Sequence, residues 1–357
     1  MVIKAAIPSL YGGSFEIAPL ELRRPGPEEV LVRIVSCGVC HTDMAMMNGS
    51  GLMVLGHEGS GVVEAVGPDA GDLRLGDHVV LSYPSCGACE ACRDSRPYDC
   101  VYFSDLFMGD RLRGTIPLRY NGRIVTPFFG QGSFATFSVV HKSSAVKVPK
   151  DADLKLLGPL GCGVQTGAGA VLNYLKPRPG KAIAIFGTGS VGLSAVIAAR
   201  IAGCAPIIAV DRLEPRLALA GKFGATHTVN SAAVRDVRKE ILQISGGIRY
   251  ALDTTGSMAL MNVAMSCLLP GGRGCGVAAA GRPRVDREAS AESKHWDEII
   301  QGCAVPQVFI PRMIDYWKKG RFPFEEMLTF FKFEDINEAF RKAEAFEVVK
   351  PVLVMQA

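Results

Sequence analysis

The chain has 357 residues, of which 48% are hydrophobic and 21% are charged, the balance of an ordinary globular protein. This length is too great for one hydrophobic core and predicts two domains. The formal net charge of +4, without runs of like charge, argues against a nucleic-acid or membrane-surface partner.

The N-terminal sequence shows no targeting signal. Met1–Leu10 contains one lysine and lacks the apolar core of a secretory signal. The most apolar stretch, Val191–Val210, is interrupted by Arg200 and by small residues, so it is unsuited to span a membrane. We therefore expect a cytoplasmic protein in which clustered cysteines serve as metal ligands rather than disulfides.

The first 150 residues are predicted to form a mostly β domain. The runs VLVRIV at Val30–Val35 and GVVEAV at Gly61–Val66 predict strands, and glycine and proline punctuate them. No long helical period accompanies these strands. The segment therefore favours a sheet-based domain.

After Lys150 the pattern changes to alternating strands and helices. The apolar runs Ala182–Phe186 and Pro206–Val210 are typical of strands buried on both faces, and helical patterns follow at Val191–Ala202 and Pro215–Phe223. This order predicts an α/β domain with a doubly wound parallel sheet. Further elements are predicted at Tyr250–Asp253 (strand), Met258–Cys267 (helix), Gly274–Ala279 (strand), Pro311–Lys319 (helix) and Val348–Met355 (strand).

Four cysteines form a ladder of the form C-x2-C-x2-C-x7-C. They are Cys86, Cys89, Cys92 and Cys100. Four thiolates this close in sequence suit one tetrahedral Zn²⁺, and such a closed site has no open coordination position, so we expect a structural role. An iron–sulfur cluster is the alternative, because thiolates also bind iron.

A second metal site is predicted from three separate stretches of sequence. Cys40, His57 and Cys162 each lie close to glycine, and together they offer two thiolates and one imidazole. Such a set leaves one position open, where zinc acts as a Lewis acid on a substrate oxygen. Asp43 and Glu58 are the carboxylates expected to support the ligands, one of them by accepting the second ring N–H of His57.

A glycine-rich loop predicts a dinucleotide site. Gly187–Gly192 has the form G-x-G-x-x-G, follows the strand that ends at Phe186 and opens a helix. Its glycines permit a tight turn and close approach to a pyrophosphate, which the helix N-terminus favours. Asp211 ends the next predicted strand and suits the ribose hydroxyls of NAD. Arg212 directly after it can accommodate a 2′-phosphate, so NADP is the alternative.

These motifs, in this order, resemble those of the zinc-dependent medium-chain alcohol dehydrogenases over nearly the whole chain. The runs Leu160–Ala170, Phe129–Ala135 and Val305–Gln307 are most similar to the aryl (benzyl) alcohol dehydrogenase branch. The resemblance implies a GroES-like, partly β-barrel catalytic domain over 1–162 and 306–357, with a Rossmann NAD-binding domain over 163–305. It also implies two zinc ions per chain, a homodimer or homotetramer, and hydride transfer between NAD(H) and a primary, aryl or allylic, alcohol or its aldehyde.

The resemblance assigns roles residue by residue. Cys40, His57 and Cys162 match the catalytic zinc ligands, Thr42 matches the hydroxyl that passes on the alcohol proton, and the ladder cysteines match the structural zinc ligands. The cofactor-binding residues that it implies are His41, Thr166, Gly187, Gly189, Ser190, Val191, Gly192, Asp211, Arg212, Arg216, Val277 and Lys350. Among these, His41 and Lys350 are expected near the pyrophosphate, and Thr166 and Val191 near the nicotinamide.

Three residues are predicted to line a flat, apolar substrate pocket. Ser82, four residues before the first ladder cysteine, matches a pocket position where its small side chain leaves room for a ring. Phe128 and Phe129 are the aromatic candidates for the pocket wall. Both phenylalanines are equally well explained as core residues.

Some positions depart from the family pattern, and other functions stay open. Ala45 stands where many relatives carry a relay histidine, and residues 112–124 and 281–296 are also divergent. The alternative function is a zinc dehydrogenase for another alcohol, such as a polyol, a formaldehyde–thiol adduct or a specialised-metabolite intermediate. A non-catalytic zinc protein is disfavoured because all three open-site ligands are present. A DNA-binding zinc module is disfavoured by the low charge and the lack of a basic helix beside the ladder.

Overall fold

The computed structural model describes residues 1–9, 13–47, 51–109, 116–277 and 293–355. The strands of this part, in chain order, are β1 (Val2–Pro8), β2 (Phe15–Leu22), β3 (Glu29–Gly38), β4 (Met53–Val54), β5 (Gly59–Val66), β6 (His78–Leu81), β7 (Leu118–Tyr120), β8 (Arg123–Pro127), β9 (Phe137–His141), β10 (Ala145–Val148), β11 (Ile183–Phe186), β12 (Ile207–Asp211), β13 (His227–Asn230), β14 (Ile248–Asp253), β15 (Leu268–Gly276), β16 (His295–Glu298), β17 (Leu328–Lys332) and β18 (Lys350–Val354).

The helices of the same part connect or follow these strands. The α-helices, in chain order, are α1 (His41–Met47), α2 (Glu90–Arg93), α3 (Phe103–Phe107), α4 (Leu154–Leu157), α5 (Gly163–Gly169), α6 (Ser190–Ile201), α7 (Glu214–Phe223), α8 (Val237–Ser245), α9 (Met258–Cys267), α10 (Pro306–Lys318) and α11 (Ile336–Glu344). A π-helical segment, Ala170–Leu175, continues α5. None of the described helices has the length and apolar character needed to cross a membrane.

The first compact unit comprises Met1–Cys162, Val305–Arg312 and Glu325–Ala357. Its seven-stranded sheet has the order β10-β6-β5-β3-β18-β17, with β9 paired to β3, and its five-stranded sheet has the order β1-β2-β7-β8-β4. Alternate residues of β3 are buried, as expected for a strand with one face on the core. The last strand, β18, pairs antiparallel with β3, so the end of the chain completes a sheet begun near its start.

The second compact unit comprises Gly163–Ala304 and Met313–Phe324. Its six-stranded sheet has the order β13-β12-β11-β14-β15-β16, and each neighbouring pair is parallel. Residues of β11 are fully buried because strands flank it on both sides and helices cover such sheets. The predicted doubly wound parallel sheet is confirmed, and β11 at its centre leads into the glycine-rich loop.

Most predicted elements are present, and the differences have local causes. Helix α9 coincides with its predicted span, and β3, β5, β11, β12, α6 and α7 lie within a few residues of theirs. The predicted C-terminal helix starts earlier, because Pro306 takes the first helical position and Pro311 lies inside the helix. The strand predicted at Gly274–Ala279 is β15, which begins at Leu268; residues 278 and 279, with 112–115 and 281–292 of the divergent stretches, lie outside the described residues.

Candidate active site and metal centres

Distant stretches of the first unit bring one group of metal-ligating side chains together. Ligand atoms of Cys40, His57, Glu58 and Cys162 all lie within 4.8 Å of one another. Glu58, which was predicted as a supporting carboxylate, lies in the same group as the three predicted ligands. The close packing depends on Gly38, since a Cβ there would lie 2.0 Å from Glu58 Oε2. A side chain at position 38 would therefore take the space that the Glu58 carboxylate occupies.

The carboxylate of Asp43 holds two members of this group in place. Its Oδ1 lies 2.9 Å from His57 Nδ1 and accepts the N–H of Gly56 at 3.0 Å, while its Oδ2 accepts the N–H of Cys40 at 3.1 Å. This contact places the imidazole proton on Nδ1 and the lone pair on Nε2. His57 Nε2 is buried and has no hydrogen-bond partner among the described residues. An orphaned imidazole nitrogen beside two thiols fits a zinc ion.

Lys350 is paired with the carboxylate of Glu58. Its Nζ donates to both oxygens of Glu58 at 2.9 Å and to the carbonyl of Val39 at 3.0 Å, which uses all three ammonium hydrogens. Burial opposes the charge, but the Glu58 carboxylate raises the pKa of Lys350 above its ordinary value, so the ammonium stays charged. In this structure its donors are directed at the carboxylate beside the metal ligands and at a backbone carbonyl, and a contact of Lys350 with the pyrophosphate stays a prediction.

Aromatic rings pack directly against the imidazole of His57. Phe129 stacks on it with ring centroids 4.5 Å apart, and Phe128 meets it edge-on at 5.6 Å. Phe107 of α3 packs on both phenylalanines, at 4.8 Å from Phe128 and 4.5 Å from Phe129. Both rings are buried, as the core alternative expected, yet they also form one wall of the ligand group. Their contact with a substrate stays a prediction.

Ser82 is tied to the backbone next to a metal ligand. Its Oγ donates to the carbonyl of Gly161 at 2.8 Å, directly before Cys162. The amide of Gln131 donates to the Ser82 carbonyl at 2.8 Å, and the hydroxyl of Ser133 donates to Gln131 Oε1 at 3.2 Å. All three side chains are fully or almost fully buried. Ser82 therefore does more than leave space, since its hydroxyl fixes the peptide that positions Cys162.

The cysteine ladder folds into a second ligand group. The sulfur atoms of Cys86, Cys89, Cys92 and Cys100 all lie within 4.8 Å of one another. Cys86 Sγ accepts the N–H of Cys89 at 3.2 Å, and Cys100 Sγ accepts the N–H of Cys86 at 3.4 Å. Backbone hydrogen bonds from Cys92 and Val101 lower the pKa of Cys89 to about 6. Converging sulfurs with N–H groups directed at them fit a closed tetrahedral zinc site.

The glycine-rich loop has the geometry of a phosphate-binding turn. Gly187 has φ of 87°, and a Cβ on Gly192 would lie 1.8 Å from the Gly187 carbonyl oxygen, so only glycine fits there. Gly189 is the N-cap of α6, and Ser190 begins the helix without a side-chain cap. The first N–H groups of this twelve-residue helix are therefore available to an anion, and the turn fits a dinucleotide pyrophosphate.

The carboxylate of Asp211 is fixed beside this turn. Its Oδ2 accepts the N–H and the hydroxyl of Thr188 at 2.6 and 2.8 Å, and its Oδ1 accepts the N–H of Arg212 at 2.7 Å. The Arg212 side chain is exposed. Arg216 lies near the loop, with its Nη1 3.9 Å from the position of a Cβ on Gly189, and burial lowers the pKa of its guanidinium. Both an acidic and a basic group therefore border the predicted ribose position.

The remaining predicted cofactor and relay residues are distributed over both units, and their roles stay predictions. In the second unit, Thr166 is buried on α5, and Val191 and Val277 are half-buried at the start of α6 and after β15. In the first unit, His41 begins α1 with an exposed side chain. The hydroxyl of Thr42 lies 3.6 Å from the Sγ of Cys40, at the ligand group.

Gln131 and helix α3 were not predicted from the sequence. Gln131 stands within the run that resembles the aryl branch, but a single glutamine has no spacing that identifies its partner. Phe103 and Phe107 of α3 are four residues apart and so share one helix face. That spacing was the available signal for an aromatic helix over the ligand group.

Two family models match the chain. The alcohol dehydrogenase GroES-like domain matches residues 26–150, and the zinc-binding dehydrogenase matches residues 190–302. Among curated relatives, a geraniol dehydrogenase from Castellaniella defragrans is 42% identical over 365 residues, covering 98% of this chain and 97% of the relative. An S-(hydroxymethyl)glutathione dehydrogenase from Paracoccus denitrificans is 31% identical over 375 residues, covering 99% of this chain and 100% of the relative.

Solved structures match over the whole chain as well. An alcohol dehydrogenase zinc-binding domain protein from Burkholderia ambifaria has a TM-score of 0.96 and 42% identity, with 100% of both chains covered. The benzyl alcohol dehydrogenase from Acinetobacter calcoaceticus has a TM-score of 0.94 and 38% identity, again with 100% of both chains covered. The predicted combination of a GroES-like domain with a Rossmann-type domain is confirmed.

Proposed function

Because the chain belongs to the zinc-dependent medium-chain alcohol dehydrogenase family, and is therefore a zinc-dependent alcohol oxidoreductase, we propose that its substrates are primary aryl or allylic alcohols and that its cofactor is NAD. The observation that carries the proposal is the group formed by Cys40, His57 and Cys162, with the orphaned Nε2 of His57 inside it. Three such ligands leave one coordination position for a substrate oxygen.

The residues of the first unit divide the work of catalysis. Zinc supplies a Lewis acid toward the alcohol oxygen, and the dinucleotide supplies the hydride acceptor. Asp43 fixes the tautomer and orientation of His57, so the imidazole presents Nε2 to the metal position. Thr42 takes the alcohol proton, because a hydroxyl both accepts and donates. Ala45 has no ionisable group, so the proton continues through water or the exposed His41.

The aromatic wall and two relatives support the substrate class. Phe129 and Phe128 lie against His57 and make the surroundings of the ligand group aromatic and apolar, although both rings are buried. Relatives named for geraniol and for benzyl alcohol are 42% and 38% identical to this chain. Both alcohols carry a π system next to the carbinol carbon. The formaldehyde–thiol adduct is the alternative, on the 31% identical relative named for it.

The cofactor and assembly follow the same reasoning. We propose that Gly187, Gly189, Ser190 and Gly192 hold the pyrophosphate of NAD and that Asp211 binds its ribose. A second zinc ion occupies the cysteine ladder and serves the fold. In this proposal the first unit is the catalytic domain and the second binds the dinucleotide. The protein acts in the cytoplasm as a homodimer or homotetramer.

Steady-state kinetics of the zinc-loaded protein tests the proposal. Benzyl alcohol, geraniol, ethanol and S-(hydroxymethyl)glutathione are each assayed with NAD and with NADP. We expect kcat/KM for benzyl alcohol and geraniol to exceed that for ethanol by about 10-fold or more, because a ring or alkene fills an apolar pocket. NAD is expected to exceed NADP because the Asp211 carboxylate repels a 2′-phosphate.

A matched cysteine pair serves as the control. Cys162→Ser is expected to abolish turnover and to remove about one of two zinc ions, whereas Cys204→Ser, outside both ligand groups, keeps both. Preference for ethanol or for the glutathione adduct would contradict the substrate class. Equal kcat/KM with NADP would show that Arg212 outweighs Asp211.

A further inference from the structure

A cavity of about 510 Å³ lies in the second unit, near the amino ends of the parallel strands, whereas the glycine-rich loop lies at their carboxyl ends. Lys181 precedes β11, while Arg249 and Tyr250 stand near the start of β14. The glycine-rich loop follows the carboxyl end of β11, where open α/β sheets bind their ligands. The cavity is therefore a different site from the proposed dinucleotide site.

Five basic side chains line this basic cavity. They are Lys176, Arg178, Lys181, Arg249 and Arg273, and no carboxylate is among the described residues that line it. The side chains of Lys176, Arg178 and Lys181 form no ion pair or hydrogen bond with other described residues. Like charges around one cavity repel one another, and a bound anion converts that repulsion into attraction.

The other two cations are held in place from outside the cavity. The guanidinium of Arg273 lies 5.1 Å from the ring centroid of Tyr174, whose hydroxyl bonds to Asp297. Arg249 donates through Nη1 to the carbonyl of Pro270. Each arginine has five N–H donors, so most of its donors are left for a ligand. Two preoriented guanidinium groups suit phosphate oxygens, which they can bind in pairs.

The hydroxyl of Tyr250 is a further donor at this cavity. Tyr250 is 7% exposed, and its oxygen accepts the backbone N–H of Arg178 at 3.3 Å. Its own hydrogen has no acceptor in the part of the chain that the structure describes. A buried hydroxyl hydrogen without an acceptor is unfavourable, and an oxygen of a bound anion would satisfy it.

We propose that the basic cavity binds a small polyanion that carries two or more linked phosphate groups. Five cations exceed the charge that one phosphate dianion balances, and the volume exceeds what one phosphate fills. The planar donors of arginine match phosphate oxygens, and the Tyr250 hydroxyl adds a neutral donor. Neither the alcohol nor the dinucleotide of the proposed function accounts for this set of side chains.

Calorimetric titration of the zinc-loaded protein with inorganic pyrophosphate tests the proposal, with orthophosphate in parallel. In Arg178→Gln/Lys181→Gln we expect Kd for pyrophosphate to rise about 10-fold or more, because two charge-assisted contacts are lost. The control Arg238→Gln/Lys239→Gln makes the same charge change on exposed positions of α8 and should alter Kd by less than about 2-fold. Basal turnover of both double variants should match that of the parent.

Tyr250→Phe separates a built site from diffuse attraction. It removes one hydroxyl and no charge, and we expect Kd for pyrophosphate to rise by about 5-fold. Equal weakening in the two double variants would overturn the proposal, since it would place the anion elsewhere or nowhere in particular. So would orthophosphate binding as tightly as pyrophosphate, or the absence of pyrophosphate binding up to about 1 mM.

Discussion

At the scale of single residues, buried carboxylates organise the open metal site. Asp43 binds His57 and the backbone of Cys40, and Glu58 binds Lys350. That a carboxylate supports His57 could be predicted, because a ligating imidazole needs an acceptor and Asp43 lies close in sequence. The partner of Glu58 could not, since Lys350 is 292 residues away and pairing across a sheet leaves no local pattern.

A substitution at Ser82 tests whether this residue positions the ligand Cys162 or only leaves space in the substrate pocket. Ser82→Ala removes the hydroxyl that holds the Gly161 carbonyl beside Cys162, so we expect the ligand thiolate to be less firmly placed. The rate of zinc loss from the open site to a chelator should rise about 10-fold, in the range seen for groups that orient metal ligands. The measurement is zinc transfer to a coloured chelator, with the visible spectrum of the cobalt-substituted protein as a second readout.

Ser82→Thr is the matched variant, because it keeps the hydroxyl while adding a methyl group. Zinc retention should return toward that of the parent in this variant. If Ser82 only leaves space in the pocket, the rate of zinc loss should stay unchanged in both variants, and only KM for bulky alcohols should shift. Unchanged zinc loss in Ser82→Ala would thus remove the positioning role.

At the scale of elements, a strand or helix could be predicted where its own residues carry the sequence pattern. The buried strands β11 and β12 and the helix α6 carry periodic apolar residues and glycine signals, and the sequence located each of them. Strand β13 and helix α8 were not predicted, because the strand is short and largely exposed and the helix buries a single residue, Ile241, fully. Strand β13 pairs with β12, so its position is determined by that neighbouring strand rather than by its own sequence.

The cysteine ladder provides the prediction at this scale. The segment from Cys86 to Cys100 contains only the short helix α2 and a 3₁₀ turn at Pro97–Asp99, so we expect its fold to depend on a metal ion held by its four sulfurs. Cys92→Ala should lower zinc content from about two to about one per chain and lower Tm by about 5 °C or more. Metal analysis and calorimetry measure both quantities, and Cys204→Ala, a buried cysteine of the second unit, should keep both zinc ions.

The activity of the folded fraction distinguishes this site from the open one. In Cys92→Ala, KM for the alcohol should stay near the parent value, because Cys40, His57 and Cys162 are untouched. An iron–sulfur chromophore in the purified protein would show that the ladder binds iron. Unchanged zinc content in Cys92→Ala would show that Cys92 is not required to hold the second ion, and about one zinc ion per chain in the parent would show that the ladder holds none.

At the scale of the whole molecule, the two metal groups and the glycine-rich loop belong to different units. Both ligand groups found among the described residues lie within Met1–Cys162, and the loop at Gly187–Gly192 lies in the second unit. The sequence indicated this separation because each motif has its own local spacing. The basic cavity was not predicted because its cations come from three separate stretches of the chain, which only the folded sheet brings together.

This division predicts how the molecule responds when its metal is removed. Zinc binding contributes folding free energy to the part of the chain that supplies its ligands, so a chelator should destabilise the first unit selectively. Hydrogen exchange measured by mass spectrometry should rise in β3, β5 and the segment 86–100, while β11, β12 and β14 keep their protection. Added NAD should protect the peptide 186–192 with or without zinc, because ligand binding stabilises the unit that binds it. A uniform rise in exchange through both units would show instead that zinc stabilises the chain as one cooperative structure.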